Sequence, residues 1–377
     1  MGDFPLGKRG KTLDNVFFVS KQFKQTGKIV DIREYGNGKV HNTFLVTNKS
    51  KKKKQFILQC INTHVFPHPQ LVMLNMRIIT EHICQVLHNS HLRKGCHWKV
   101  PLVLLTQDEK DHFIDSDGSF WRAISFIENS QSFEVIKSIG QASEIGYALG
   151  IFHILLKDLP PERLADTLKG FHNTPRYLKH YNEVLAKYGP CRSPEERYCL
   201  EFVSKRSAWA KVLEDAKVEG RLHPRIIHGD PKVNNIMMDK ATGKAVSIVD
   251  LDTVNPGLVH YDIGDCLRSG CNTLHEETED WESVHFEVDL CQAILEGYLS
   301  MMSEFLTKND YDYLYDAIRL ISFELGLRYF TDYLEGNIYF KTIHFEQNLV
   351  RALGQFKLTE SIESQAASIQ TMIREMR

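Results

Sequence analysis

Four side chains in one short stretch have the types and spacing for phosphoryl transfer. Asp230 follows His228 and Gly229, Asn235 follows Asp230 by five positions, and Asp250 and Asp252 end the next apolar run. An acid can orient an attacking hydroxyl and take its proton. A carboxamide oxygen and a second carboxylate can hold a hard cation such as Mg²⁺, which prefers oxygen ligands and bridges nucleotide phosphates. Asp230 is therefore the candidate base, and Asn235 and Asp250 are the candidate metal ligands. Lys232 lies two residues after Asp230, where its charge could neutralise a transferring phosphoryl group. Asp252 could be a further metal contact or an acceptor of a substrate hydroxyl. A structural alternative exists for each residue taken alone: Asp230 as a helix cap, Lys232 as a surface lysine. Pro231 and the pair Asn234-Asn235 are poor helix material and weaken the first alternative.

The elements around this stretch must position it. Ile226-Ile227 and Ala245–Val249 read as short strands, with a turn over Lys240–Gly243 between them. Upstream, strand-like runs at 29–34, 43–47 and 55–61 are separated by Tyr35-Gly36-Asn37-Gly38-Lys39 and by a polar turn over 48–54. Gly36 and Gly38 are candidates for laying backbone amides over phosphates, although a plain hairpin turn has the same sequence. A helix is expected over Pro69–Asn89, a buried strand over Val100–Thr106, and a hairpin turning at Asp115-Ser116-Asp117-Gly118. That turn lacks the rest of a calcium loop. Beyond a short polar hinge at 128–132 the chain turns helical, with helices expected over 133–156, 198–218, 286–305, 311–333 and 359–376. Asp262 and Asp265 are expected to precede a helix and either cap it or brace the catalytic loop.

The order is that of an α+β, bilobal protein-kinase-like fold: a small antiparallel-sheet N-terminal lobe (1–127) and a larger helical C-terminal lobe (128–377). The His-Gly-Asp and Asn235 spacing matches the kinase catalytic-loop pattern, with Gly229 where that pattern has Arg, and Asp250 stands where the metal-binding Asp of D-F-G would. No A-P-E segment follows Asp250, which argues against a protein kinase.

Composition excludes other classes. The 377 residues carry a formal net charge of -2, so no general polyanion-binding role is implied, and nucleic acid is not an expected partner. The lysines at 51–54 read as a solvated hairpin tip without interleaved aromatics. The longest apolar runs look short for a membrane helix, and the N-terminus shows neither a signal-peptide core nor the Ser or Thr of a myristoylation pattern. The eight cysteines form no C-x-x-C and are expected to be reduced thiols of a cytoplasmic protein. The 17 histidines show no zinc-site spacing.

HGDPKVNN followed by SIVDLD resembles the aminoglycoside phosphotransferase and choline kinase superfamily. The resemblance is closer to the N-acetylhexosamine 1-kinase branch. It rests on four segments that stand in order: FILQCINTHVFP (Phe56–Pro67), WRAISFIE (Trp121–Glu128), DLDTVNPGLVHYDIGDCLRSG (Asp250–Gly270) and GLRYFTDYLEGNIYFK (Gly326–Lys341). It implies ATP and Mg²⁺ as cofactors, Asp230 as base, Asn235 and Asp250 on the metal, and adenine held near Ser125–Ile127. It also implies a sugar pocket lined by Asp252, Arg328 and Asp332 or Tyr333. The expected small-molecule partners are thus a sugar and a nucleotide. One departure stands out: the strand that would carry a phosphate-binding lysine has the uncharged Gln59. A kinase of the same fold with another acceptor (a different sugar, an aminoglycoside or choline) and a nucleotide-binding regulator without catalysis are the rival readings.

Overall fold

Phe44 and Val46, and likewise Phe56, Leu58 and Cys60, recur at every second position, which puts each set on one face of a strand and calls for an apolar layer over that face. The computed structural model describes residues 12–25, 27–36, 40–49, 54–89, 97–191 and 193–377, and it divides into two units. The first comprises residues up to Met73 together with Pro101–Glu128. It opens with helix α1 (Leu13–Ser20), capped by the Thr12 hydroxyl accepting from the Asn15 amide. The strands β1 (Lys28–Glu34), β2 (Asn42–Lys49) and β3 (Lys54–Cys60) follow. Helix α2 (Pro69–Asn89) comes next, then β4 (Val103–Leu104), β5 (Phe113–Ile114) and β6 (Phe120–Ser125). The antiparallel sheet runs β1-β2-β3-β6-β4, with β5 also paired to β6. One face carries Phe44, Val46, Phe56, Leu58, Trp121 and Ala123, and Val16 and Val19 of α1 with Phe23 cover it. The Asp115–Gly118 turn forms as its sequence demands. The Asp115 carboxylate accepts from the amides of Asp117 and Ser119 and from the Trp121 indole, and Gly118 has φ 76°. The strand expected over 100–106 is shorter than read, because only Val103 and Leu104 pair with β6.

The second unit is Leu74–Val100 with Asn129–Arg377, so most of α2 belongs with the helical part rather than with residues 1–127. The reason is local: the Asn75 side chain exchanges hydrogen bonds with the Ala165 backbone and donates to the Val254 carbonyl. The elements are β7 (Ser130–Gln131), α3 (Ile139–Leu156), α4 (Thr174–Leu185), α5 (Pro194–Arg206), α6 (Val212–Val218), β8 (Arg225–Ile227), β9 (Ile236–Asp239), β10 (Ala245–Ile248), β11 (Asn255–Gly257), α7 (Val259–Gly270), α8 (Val288–Met302), α9 (Lys308–Asp312), α10 (Leu314–Leu334), α11 (Gln347–Ser364) and α12 (Ala366–Glu375). Several boundaries differ from those read in the sequence. A 3-10 turn at Ser207–Lys211 interrupts the helix expected over 198–218, and the C-terminal helix begins at Gln347 and breaks at Gln365. Helix α4 has no counterpart among the helices expected from the sequence, although Asn173 caps it and Pro175 sits in its first turn, both ordinary start signals.

Helices α3 and α8 touch backbone to backbone. A Cβ on Gly146 would lie 1.8 Å from the Ile294 carbonyl oxygen, and one on Gly297 would lie 2.0 Å from that of Ser143. This contact corrects the expectation about apolar runs. Helix α3 is long and apolar enough to cross a bilayer by length and composition, and in this fold it is a buried core helix.

Candidate active site

The stretch carrying the acids is built from two short strand pairs. β9 and β10 form an antiparallel hairpin, and the Val249 amide donates to the Asn235 carbonyl (2.8 Å), so Asn235 and Asp250 stand at the same end of it. β8 pairs with β11, which holds the residues before His228 against those after Thr253. Asp250 has φ 66°, a left-handed conformation that costs a non-glycine residue roughly 1–2 kcal/mol and so must be held by its surroundings. Its carboxylate is exposed.

The Asp230 loop is held from three sides by buried polar groups. Asp262, in the first turn of α7, accepts from the His228 amide (2.6 Å) and the Gly229 amide (2.8 Å). The same carboxylate pairs with His153 of α3 (2.9 Å), whose other ring nitrogen contacts the Tyr298 hydroxyl of α8 (3.0 Å). Burial alone would raise the Asp262 carboxyl. The His153 hydrogen bond, the neighbouring histidines and the backbone amides outweigh it and hold the group below the usual carboxylate range. Asp262 therefore lies within α7 rather than before it, and it braces the loop. The second grip is His228 itself, which bonds the Val249 carbonyl (3.0 Å) and the Asp230 amide (3.3 Å) and so ties the Asp230 loop to the strand that delivers Asp250. Burial lowers its pKa, which suits one ring nitrogen donating while the other accepts.

The third grip is His172, whose ring nitrogens contact the Gly229 carbonyl (2.7 Å) and Glu324 of α10 (2.9 Å). Burial would lower the His172 pKa, but the Glu324 carboxylate more than compensates and raises it. The partner carboxyl is held down by His172 and Arg328 against its own burial. Gly229 replaces the arginine of the kinase pattern for a steric reason. Its φ is 86°, and a Cβ there would lie 2.7 Å from the Thr253 carbonyl oxygen.

Asp230 itself is partly open, and Lys232 lies 3.0 Å from its carboxylate. Burial is the largest influence and raises its pKa, Lys232 opposes this, and the charges of Asp265 and Asp250 add to it. The group is pushed up to about 7. Burial would lower Lys232, but Asp230, Glu276 and Asp265 together raise it, so the ammonium stays charged. Asp265 is itself clamped by Arg268 (2.9 Å), and its second carboxylate oxygen is buried without a hydrogen-bond partner.

The donor set suits a magnesium ion that completes its shell with phosphates and water. The Asn235 side-chain nitrogen is committed to the Asp230 carbonyl (2.8 Å), which leaves the carboxamide oxygen, and Asp250 offers a carboxylate beside it. Among the described residues no cluster of three or more His, Cys, Asp or Glu could hold a metal by protein ligands alone.

The residues expected to contact substrate divide into two groups. Arg328 of α10 is ringed by aromatic side chains: its guanidinium carbon lies 5.4 Å from the Phe171 ring centre, 5.0 Å from Tyr177, 5.9 Å from Tyr339 and 5.5 Å from Phe340. Asp332 and Tyr333 are committed within the chain instead. The Asp332 carboxylate accepts from the amides of Tyr339 (2.7 Å) and Phe340 (2.9 Å) and from Asn348 (2.8 Å), while the Tyr333 hydroxyl donates to Glu196 (2.8 Å). Asp332 thus fixes the loop that brings two rings to Arg328. Asp252 is 2% exposed, and its carbonyl accepts from the Thr167 hydroxyl.

In the first unit, Gly36 lies in the bend after β1 with φ 75°, and Gly38 lies outside the described residues. Ser125 is used by the sheet edge, where its hydroxyl accepts from the Leu102 amide (2.8 Å), and Ile127 is buried. Gln59 donates to the Thr43 hydroxyl (3.1 Å) and accepts from Arg122 Nε (2.9 Å). His153, His172 and Glu324 are not among the residues expected from the sequence, because their contacts join segments far apart in the chain. The neighbouring residues Phe171, Tyr177, Tyr339 and Phe340 also carried no local signal of a shared site.

The fold has relatives among solved structures. An aminoglycoside phosphotransferase from Alicyclobacillus acidocaldarius superposes with a TM-score of 0.64 at 13% identity, over 98% of this chain and 99% of that one. A microcompartment-associated aminopropanol kinase gives 0.61 at 14% identity over 95% and 99%. An amicoumacin kinase in complex with AMP-PNP, Ca²⁺ and Ami gives 0.58 at 13% identity over 97% and 93%. These likenesses establish the kinase-like fold. The phosphotransferase enzyme family itself is matched over residues 31–293, from β1 through the Asp230 loop and α7 into α8. The chain belongs to the phosphotransferase enzyme family.

Proposed function

We propose that this protein is a cytoplasmic kinase that transfers the γ-phosphoryl group of ATP to the anomeric hydroxyl of an N-acetylhexosamine, GlcNAc or GalNAc. In this reading the sugar hydroxyl gives its proton to Asp230 as its oxygen bonds to the γ-phosphorus. The bond from that phosphorus to the bridging oxygen breaks, and ADP leaves. Lys232, already against the Asp230 carboxylate, neutralises charge on the transferring group. Asn235 and Asp250 would hold Mg²⁺, which when bound supplies charge neutralisation for the phosphate oxygens.

The observation that carries the phosphotransfer part is the gripped Asp230 loop, with a base whose pKa lies near neutrality and two oxygen donors at its side. For the acceptor, the support is the ring of aromatic faces around Arg328: flat apolar surfaces beside fixed donors suit a sugar, which has an apolar ring face and a rim of hydroxyls. A choline-like acceptor would need such faces open to its quaternary ammonium, and here a guanidinium already lies among them. The described cysteines are free thiols, in keeping with a reducing compartment.

The test is a coupled ADP assay with ATP, Mg²⁺ and a panel of GlcNAc, GalNAc, other sugars, aminoglycosides and amino alcohols. The reading expects turnover with at least one N-acetylhexosamine and a product phosphorylated at C1. Turnover confined to another acceptor would retain the kinase and reject the sugar. ATP binding without ADP release for every acceptor would favour the regulator.

A further inference from the structure

A carboxylate that no step of the proposed reaction uses is tied both to the helix beside the Asp230 loop and to the helix that carries Arg328. Glu276 lies in the segment joining α7 to α8. One of its oxygens accepts from the Tyr329 hydroxyl of α10, and the other pairs with the Arg268 guanidinium of α7 (3.5 Å). Each donor leads to one part of the site. Arg268 also clamps Asp265 (2.9 Å), and the next residue, Ser269, accepts from the Val233 amide (3.2 Å) of the Asp230 loop. Tyr329 follows Arg328 in α10, and its ring lies 4.5 Å from that of Phe340, one of the four rings around the Arg328 guanidinium. The Glu276 charge also reaches Lys232, where it joins Asp230 and Asp265 in keeping the ammonium charged. The two donors are sunk in the fold, Tyr329 at 2% exposed and Arg268 at 3%, whereas the Glu276 side chain keeps 22% of its surface open. The adjacent Glu277 pairs with Arg351 of α11 (2.9 Å), which holds the same segment from its other side.

We propose that Glu276 is a specificity-determining residue of the acceptor site: the open edge of its carboxylate accepts a hydrogen bond from an acceptor hydroxyl other than the one that gives its proton to Asp230. The proposal rests on the kinase reading above. A carboxylate has about four lone-pair sites, so it takes a hydroxyl in addition to its buried donors. Those donors fix it before the substrate arrives, so little rotamer freedom is lost on binding. A hydrogen bond to an ionised group is about twice as strong as one between neutral groups. It needs a second donor on the acceptor, and so it favours polyhydroxylated acceptors over those with a single hydroxyl.

The experiment measures kcat/KM in wild type, Glu276→Gln and Glu276→Ala. The substrates are the acceptor that the panel identifies and its deoxy analogues, each lacking one hydroxyl other than the phosphorylated one. Glu276→Ala should lower kcat/KM for the parent acceptor by about 10–100-fold, mostly through KM, and leave MgATP affinity by calorimetry within about twofold of wild type. One deoxy analogue should be as poor with wild type as the parent is with Glu276→Ala, and the variant should lose no more than about twofold further on it. Glu276→Gln keeps a carbonyl oxygen and should recover part of the loss. A merely structural role would lower the parent and every deoxy analogue alike, and that result overturns the proposal. An unchanged kcat/KM for the parent in Glu276→Ala does so too, as does wild-type turnover confined to acceptors with one hydroxyl. If Glu276→Ala does not fold, Glu276→Gln is read alone by the same comparison of parent and deoxy analogues. A wild-type protein that turns over no acceptor refutes the kinase reading, and the proposal falls with it.

Discussion

The Asp230 loop and the Arg328 surroundings are built by opposite strategies. The loop takes its chemistry from residues within one stretch, Asp230 to Asp250, and takes its rigidity from distant buried partners: Asp262, His153, His172 and Glu324. The Arg328 surroundings take their chemistry from distant residues, since Phe171, Tyr177, Tyr339 and Phe340 come from three segments, and their rigidity from a neighbour, Asp332, four residues along α10. A reaction shared by a whole family needs fixed spacing of its acids. An acceptor pocket can be assembled from loops that vary freely, so it leaves little trace in any one segment.

The sharpest way to break this contrast is at the base. Asp230→Asn should lower turnover by about 10²–10⁴-fold while MgATP affinity stays close to wild type. If turnover survived, the loop would not be the chemical half of the comparison. In the wild type, kcat/KM for the acceptor should rise with pH through about 7, because Asp230 must shed its proton and its surroundings hold that pKa up. A profile flat between about pH 5.5 and about 8.5 would remove the elevated base.

Next is the brace. Asp262→Ala leaves His153 and two loop amides without their buried partner, and should cost about 3–5 kcal/mol of stability by denaturant unfolding. A cost near zero would mean that the loop is rigid without its distant partners. Arg328→Gln should then act selectively, lowering kcat/KM for the acceptor by about 10–100-fold with little change in MgATP binding. Equal loss for both substrates would place Arg328 in general packing.

The smallest effect is in the His172–Glu324 pair. His172 is raised, so its contribution is full below its ordinary value near 6.5 and fades as pH climbs through the raised one. Glu324 is lowered, so its contribution is full above its ordinary value near 4.5 and fades as pH falls through the depressed one. The stability gap between wild type and His172→Gln should therefore be widest between these values and narrow on the alkaline side. A gap that grows as pH rises above about 6.5 would contradict the assignment.

These differences explain what was legible in the sequence. The sheet, α2, the Asp115–Gly118 turn and the Asp230–Asp250 hairpin follow from alternation, helical period and turn chemistry, which are local. Helix α7 begins earlier than the sequence suggests, because its polar stripe, with Asp262, Asp265 and Arg268, is buried against partners instead of facing solvent. Asp332 and Tyr333 share their helix with Arg328, and nothing in spacing separates a residue that faces a ligand from one that ties down a loop.

Transfer to C1 requires an anomeric hydroxyl against Asp230. The most direct measurement is a crystal structure of the protein with an N-acetylhexosamine and a nonhydrolysable ATP analogue. The C1 hydroxyl is expected within about 3 Å of the Asp230 carboxylate. A sugar bound with a different hydroxyl, or none, against Asp230 would contradict it.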